Sequence, residues 1–400
     1  MTIGAMYGFV PVLLQAKGFN PALIGVTTSL GSLAYTLALP VWGHVGDVVT
    51  GPRRALQIAC LPAAAATLVF GQPLPVIAII ASLIVINLGG GPAMALTDAM
   101  AMPVLVDASK EYARLRIILS VGAAGGDIVF GLLYGAVGYS VAPFVFVGVL
   151  AAMVICAQFV QLGRDSERGR RANATREGRI HSAAETGRFG SIGEAFKIQP
   201  RLAAVLLSVV VLFIGIMVSG TFMSLRISDL GGGAPEVGLA NGIGSSAEIP
   251  GLILAGFLVA RFGARPVLIV SSVGFAVCLV SWVFLVDAVP ILLTRFVSGI
   301  FFSGVLVAYV LTISRMLPAG LQSTGQTLLQ ACSYGGGAIM ANFLGGMLYG
   351  TAGPIGVFGG GAICAVVGGV IGFLALPDFG TLRSDAGTQP LPAVGVSPLT

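Results

Sequence analysis

The chain has 400 residues, 56% of them hydrophobic and only 9% charged, with a formal net charge of +5. A soluble domain carries about 25% charged residues, so this composition excludes an ordinary soluble enzyme. Apolar runs of bilayer-crossing length recur from end to end. They are too long, and alternate too little, for the strands of a membrane barrel, which leaves helices as the way to satisfy a backbone in lipid. The predicted class is an all-α membrane protein.

Twelve spans are predicted, at about 2–16, 21–43, 55–71, 76–102, 117–137, 140–162, 202–226, 237–259, 267–286, 288–314, 322–349 and 354–376. The first is short for a bilayer and shows no cleavage pattern of a signal peptide. Completion by residues upstream of Met1 and a displaced start site both stay open. The turns at Gln72–Pro75 and Asp287–Pro290 leave no room for an external domain. One sizeable hydrophilic segment, 163–201, divides the chain into a six-helix bundle at 1–162 and a second at 202–376. The Pro-, Gly-, Ser- and Thr-rich tail, 377–400, is expected to be disordered.

Eighteen of the 21 Lys and Arg fall on the side of the central segment; Lys17, Arg226 and Arg295 do not. Positive charge marks the cytoplasmic side, so both termini and the linker are expected there, in a cell membrane. The basic linker is thereby explained as topology, and no nucleic-acid partner is expected. Cys60, Cys156, Cys278, Cys332 and Cys364 lie in apolar runs without paired spacing, which argues against zinc and disulfides. His44 and His181 both lie in loops, so no Ser/His/Asp arrangement is expected, and the Gly-rich runs lack the Lys-Ser/Thr of a phosphate loop.

The two halves echo each other. Ile24-Gly25, Gly31-Ser32 and Gly43 recur 213 positions later as Val237-Gly238, Gly244-Ser245 and Gly256. Gly131-Leu-Leu-Tyr-Gly-Ala-Val-Gly138 recurs 215 positions later as Gly346-Met-Leu-Tyr-Gly-Thr-Ala-Gly353. Both offsets map span n onto span n+6, the pattern of transporters built from parallel six-helix repeats.

Within this frame, Gly43-His-Val-Gly-Asp47-Val-Val-Thr-Gly-Pro-Arg53-Arg54 resembles the loop motif between the second and third spans of the major facilitator superfamily. Gly256-Phe-Leu-Val-Ala260-Arg261-Phe-Gly263-Ala-Arg265 resembles its second-half copy. The first copy has one extra residue and Val48 where a basic residue is usual; the second has Ala260 at the Asp position. A narrower resemblance is to the branch of lactose permease and the related oligosaccharide, nucleoside and phenylpropionate permeases. It rests on Pro92 and Asp98, on Glu111-Tyr112-Ala-Arg114-Leu-Arg116, and on Glu248-Ile-Pro. The Arg and Gly-Pro features usual in the drug-efflux branch are missing. The resemblance implies the twelve-helix major facilitator fold and transport by alternating access. In the lactose-permease branch an acid on the eighth span takes part in recognition and coupling, which the resemblance carries to Glu248.

A carboxylate deep in a span is costly in hydrocarbon and marks a candidate site. Glu248, mid-span, is the leading candidate for proton coupling or substrate contact. Asp127 in span five and Asn342 in span eleven are equivalent under the 215 offset and are expected to line a shared cavity. Arg295, in span ten, could snorkel outward along its own stem; the favoured expectation is a buried role, paired with Glu248 or Asp127 or binding substrate. Asp98 is either a coupling acid or a structural one. Tyr7, Tyr35, Tyr134 and Tyr334 are candidates for an aromatic wall. Gly43, Asp47, Arg53, Arg54, Gly256, Arg261 and Arg265 are candidates for a cytoplasmic gate.

The expected function is secondary active transport of a small polar organic solute by symport with protons, in a monomer embedded in the bilayer. No cofactor is expected beyond the proton as coupling ion, and no catalytic activity. A sodium symporter, a proton-coupled exporter and a non-transporting membrane sensor are the alternatives. A sugar, a nucleoside or a small aromatic acid would each suit mixed acids beside one arginine.

Overall fold

The computed structural model describes residues 6–101, 108–159, 188–318 and 321–377, and no strand occurs among them. The predicted tail beyond Pro377 and most of the linker lie outside the described residues. The first half comprises α1 (Val10–Ala16), α2 (Pro21–His44), α3 (Pro52–Gly71), α4 (Val76–Gly90), α5 (Ala93–Ala101), α6 (Ala108–Val137) and α7 (Ala142–Phe159). The linker contains α8 (Arg188–Ile198). The second half comprises α9 (Leu202–Asp229), α10 (Ala234–Phe262), α11 (Ala264–Phe284), α12 (Ala288–Met316), α13 (Gln322–Gln330), α14 (Ala338–Pro354) and α15 (Gly360–Ala375).

Ten helical stretches among the described residues are long and apolar enough to cross a membrane. The last runs from Thr324 to Ala375, 52 residues, far more than one crossing needs. It breaks at Gly353, where φ is +62°, and so holds two spans. With the short α1, this is the twelve-helix arrangement.

Three details depart from expectation. The predicted span 76–102 is broken between α4 and α5. Pro92 has no N–H to give the Leu88 carbonyl, and the Trp42 indole Nε1 donates to that carbonyl instead, at 2.8 Å. The linker, expected to be hydrophilic throughout, forms α8, which packs on α9 and α13 and buries Ala195 completely. The fifth span begins earlier than expected, at Ala108.

The duplication is visible in the backbone. Six glycines among the described residues have positive φ: Gly18 (83°), Gly51 (83°), Gly138 (91°), Gly231 (80°), Gly263 (86°) and Gly353 (62°). They form three pairs, Gly18 with Gly231, Gly51 with Gly263 and Gly138 with Gly353, each turning the chain at an equivalent place. Such angles are strained for any residue bearing a Cβ. The Gly51–Gly263 pair is offset by one less than the others in its region, which absorbs the extra residue in the first loop motif. Packing repeats as well. α2 packs on α4 as α10 packs on α12, and α3 packs on α7 as α11 packs on α15.

The halves meet along two seams, α2 with α14 and α6 with α10. Each seam is closed by a glycine pair. A Cβ added at Gly25 would lie 2.6 Å from the Cα of Gly346, and one at Gly238 would lie 2.7 Å from the Cα of Gly131. All four glycines sit within two or three turns of the end that carries the short turns, so that end is zipped. Ser29 reinforces the first seam by donating to the Ile339 carbonyl at 3.0 Å.

Gly346→Leu should therefore wedge the first seam open. In a cysteine-free background, Ser29→Cys should react slowly with a membrane-impermeant maleimide. Adding Gly346→Leu should speed it about tenfold, the effect of ~1.4 kcal/mol on the population. An unchanged rate would show that this contact does not hold the end closed.

Candidate transport site between the halves

Lys17, Arg226 and Arg295 are the three cations that the charge pattern leaves unexplained. Two are helix caps, occupying carbonyls that a helix end leaves orphaned. Lys17 donates to the Gln72 carbonyl at 3.0 Å beyond α3 and lies 5.5 Å from the centre of the Phe70 ring. Arg226 donates to the carbonyls of Trp282 at 3.2 Å and Leu285 at 2.8 Å, at the end of α11.

Arg295 caps nothing. It leaves α12 across the face of α10, where Gly244 makes room: a Cβ at that position would lie 2.8 Å from the Arg295 Nε. Its Nη1 donates to the Ser219 hydroxyl of α9 at 3.3 Å. Its Nε is buried and has no hydrogen-bond partner among the described residues. Glu248 on α10 and Asp127 on α6 both interact with it electrostatically. An acid from each half of the protein thus lies within electrostatic range of one guanidinium. Glu248 is partly buried and Asp127 is 5% exposed. The backbone carbonyl of Glu248 accepts from the Ser303 hydroxyl of α12 at 3.3 Å, in a small-residue contact that includes Gly251 and Gly299.

Asp127 and Asn342 occupy equivalent junctions. The Asn342 amide donates to the Ser32 hydroxyl of α2 at 3.1 Å and accepts from the Thr221 hydroxyl of α9 at 2.6 Å, joining three helices across the seam. Asp127 lies against Gly8, where a Cβ would stand 3.4 Å from its Oδ1. The Gly8 carbonyl in turn accepts from Ser224 at 3.1 Å and from Asn241 at 3.5 Å. The start of the first span is thereby fastened to α9 and α10.

The four tyrosines divide. Tyr7 and Tyr35 lie near each other and interact electrostatically, and the buried Tyr7 hydroxyl has no hydrogen-bond partner among the described residues. Tyr134 is 1% exposed, closed in a cluster with Phe9 (5.0 Å) and Phe130 (6.3 Å). Tyr334 sits in the wide turn Ala331–Gly337, edge-on to Phe213 at 5.8 Å. Of the proposed gate residues, Gly43 and Gly256 border open space, Arg54 and Arg261 are exposed, and Arg53 is half-buried. The Arg265 Nε donates to the Leu376 carbonyl at 2.6 Å, tying α11 to the end of α15. The side chains of Asp47 and Asp98 lie outside the described residues.

Sequence reasoning passed over Ser219, Thr221, Ser224 and Asn241, which hold the charged groups and the seams in place. It also passed over the Tyr349 hydroxyl bonded to the Asp229 carboxylate, which joins α14 to α9. Their signal is faint: each is a single small polar residue in a long apolar run.

A sequence model of the MFS_1 like family matches residues 1–359. The chain belongs to the major facilitator superfamily. It is 23% identical to the maltose permease of Geobacillus stearothermophilus over 349 residues, 86% of this chain and 84% of that one. Among solved structures it is similar to the nucleoside transporter NupG, with a TM-score of 0.74 at 14% identity over 94% of both chains. It is also similar to a D-xylose-proton symporter, with a TM-score of 0.68 at 14% identity over 94% of this chain and 96% of that one. At these identities the structures establish the fold. The protein is a multi-pass membrane transporter of this superfamily rather than an enzyme.

Asn342→Leu should cost about 1 kcal/mol, the scale of an interhelical hydrogen bond in a membrane. Titration with a denaturing detergent should move the unfolding midpoint down accordingly. An unmoved midpoint would mean that the Ser32 and Thr221 bonds carry no stability.

Proposed function

We propose that the protein is a proton-coupled symporter of a small polar organic solute, with Glu248, Asp127 and Arg295 as the coupling and recognition group. The observation that carries this reading is their convergence between the two halves. Two carboxylates beside one guanidinium bear a net charge of −1; a single proton makes the group neutral. Net charge in low dielectric is costly, so protonation and occupancy bias which arrangement of the halves is preferred. A solute hydroxyl or carboxylate can take the Arg295 donors that Ser219 leaves over.

Alternating access needs the site reached from one side at a time. With the short-turn end assigned to the outside by the positive-inside pattern, the zipped seams correspond to an inward-facing or occluded arrangement. Both termini are then cytoplasmic, and Asp98, Asp47, Arg53, Arg54, Arg261 and Arg265 belong to the inner gate. Tyr7 and Tyr35 serve as the first-half wall of the site, with Tyr35 equivalent in position to Glu248. The solute class is a sugar or nucleoside, as supported by the names of the related maltose permease and nucleoside transporter.

The test uses proteoliposomes with an entrapped pH dye, offered maltose, xylose or a nucleoside. Entry of the transported solute should acidify the lumen. Glu248→Gln should abolish that acidification and gradient-driven accumulation, while solute exchange at equal concentrations persists. Accumulation that follows a sodium gradient with no proton movement would overturn the proton reading, as would solute movement opposite to that of the protons.

A further inference from the structure

At the central-loop end of the second half, remote from Arg295, lies a cavity of about 190 Å³. Its wall is formed by the α10–α11 turn and the ends of α12 and α15. Arg265, Arg315 and Thr312 supply its polar side chains, and no carboxylate among the described residues lines it. Thr312 is 1% exposed, and its hydroxyl has no hydrogen-bond partner among the described residues. A buried hydroxyl on a membrane helix ordinarily bonds back to its own helix, as Ser314 does to Val310 at 2.8 Å. An orphaned one is costly, and it lines a cavity whose other polar side chains are cationic. α11 also begins here, at Gly263, with no side-chain cap for its first amides.

A second, wholly apolar groove of about 480 Å³ lies between the same two helices, α11 and α15. It shares no lining residue with the cavity but lies on the same face of each helix, about two turns further along. On α11, Pro266 lines the cavity, and Val273 and Val280, at successive heptads, line the groove. On α15, Phe373 lines the cavity and Val366 lines the groove, as does Gly359 just before the helix. A step of seven residues holds the same face to within ~20° and advances ~10 Å along the helix. The groove therefore lies on the face that carries the charged cavity, further toward the bilayer centre.

We propose that cavity and groove form one site for a single anionic phospholipid. The phosphate takes a charge-assisted bond from Arg315 and accepts a hydrogen bond from the Thr312 hydroxyl, and one acyl chain lies in the groove. Charge complementarity selects an anion, and the adjoining groove selects one that carries a hydrocarbon chain. The bound lipid ties together the ends of α11, α12 and α15 beside the second-half loop motif.

Native mass spectrometry of the full chain, released from detergent with phosphatidylglycerol, phosphatidylcholine or inorganic phosphate, tests this. One phosphatidylglycerol per chain should be retained in preference to phosphatidylcholine. Arg315→Gln and Thr312→Val should each reduce its retention several-fold, and so should Val277→Trp, which fills the groove from a position 63% exposed. Arg315 is exposed as well, so these two surface variants should keep the parent melting temperature in phosphatidylcholine alone. Equal retention of the two lipids would overturn the proposal. So would a site that retains inorganic phosphate as well as the lipid, indifferent to Val277→Trp, because that describes a free-anion site.

Discussion

The two halves of this protein rest backbone on backbone where Gly25 meets Gly346 and where Gly131 meets Gly238. Between helices already in lipid there is no hydrophobic drive to associate, so stability comes from close packing and from hydrogen bonds across the contact. Glycine permits the first and brings Ser29 and Asn342 within reach for the second. The two contacts are copies of each other under the internal repeat, so the halves are joined symmetrically about the centre. A seam made of small, flat surfaces can close without interlocking side chains, and it can part without tearing them out.

The buried charges depend on the same economy of size. Arg295 crosses α10 only because position 244 is a glycine, and the equivalent glycine in the first half, Gly31, accommodates Asn87 instead. The duplication supplies the framework, while the departures from it supply the chemistry. Tyr35 and Glu248 stand at equivalent positions, as do Asp127 and Asn342. Each pair places a neutral group in one half opposite an ionisable one in the other. The resulting group is asymmetric within a symmetric scaffold, as the proposed recognition of an asymmetric solute requires.

Much of the fold was legible in the sequence because a bilayer leaves few options. Span length, the basic bias of one side and the glycine anchors sufficed for twelve helices in two halves. The anchors were informative for a physical reason: the recurring glycines are the ones that turn the chain or close the seams. What escaped prediction depends on contacts distant in sequence. Trp42 capping the carbonyl that Pro92 abandons is one instance, and Arg226 capping α11 is another. Lys17, Arg226 and Arg295 look alike as stray cations, and only the three-dimensional partners separate two caps from one member of the proposed site. Tyr134 shows the same limit from the other side, since an aromatic that packs and one that binds share the same local pattern.

Rocking of the two bundles about the central charges is the claim on which the account stands. Pulsed electron-resonance distances between spin labels at Gln72 and Val286 measure it directly, in a cysteine-free protein held in lipid nanodiscs. Both positions are exposed, at the short-turn ends of opposite halves. The account predicts a short-distance population in the resting protein and a second, longer one when pH is lowered and when a transported solute is added. A single distribution, unchanged under every condition in a protein that still transports, would contradict it.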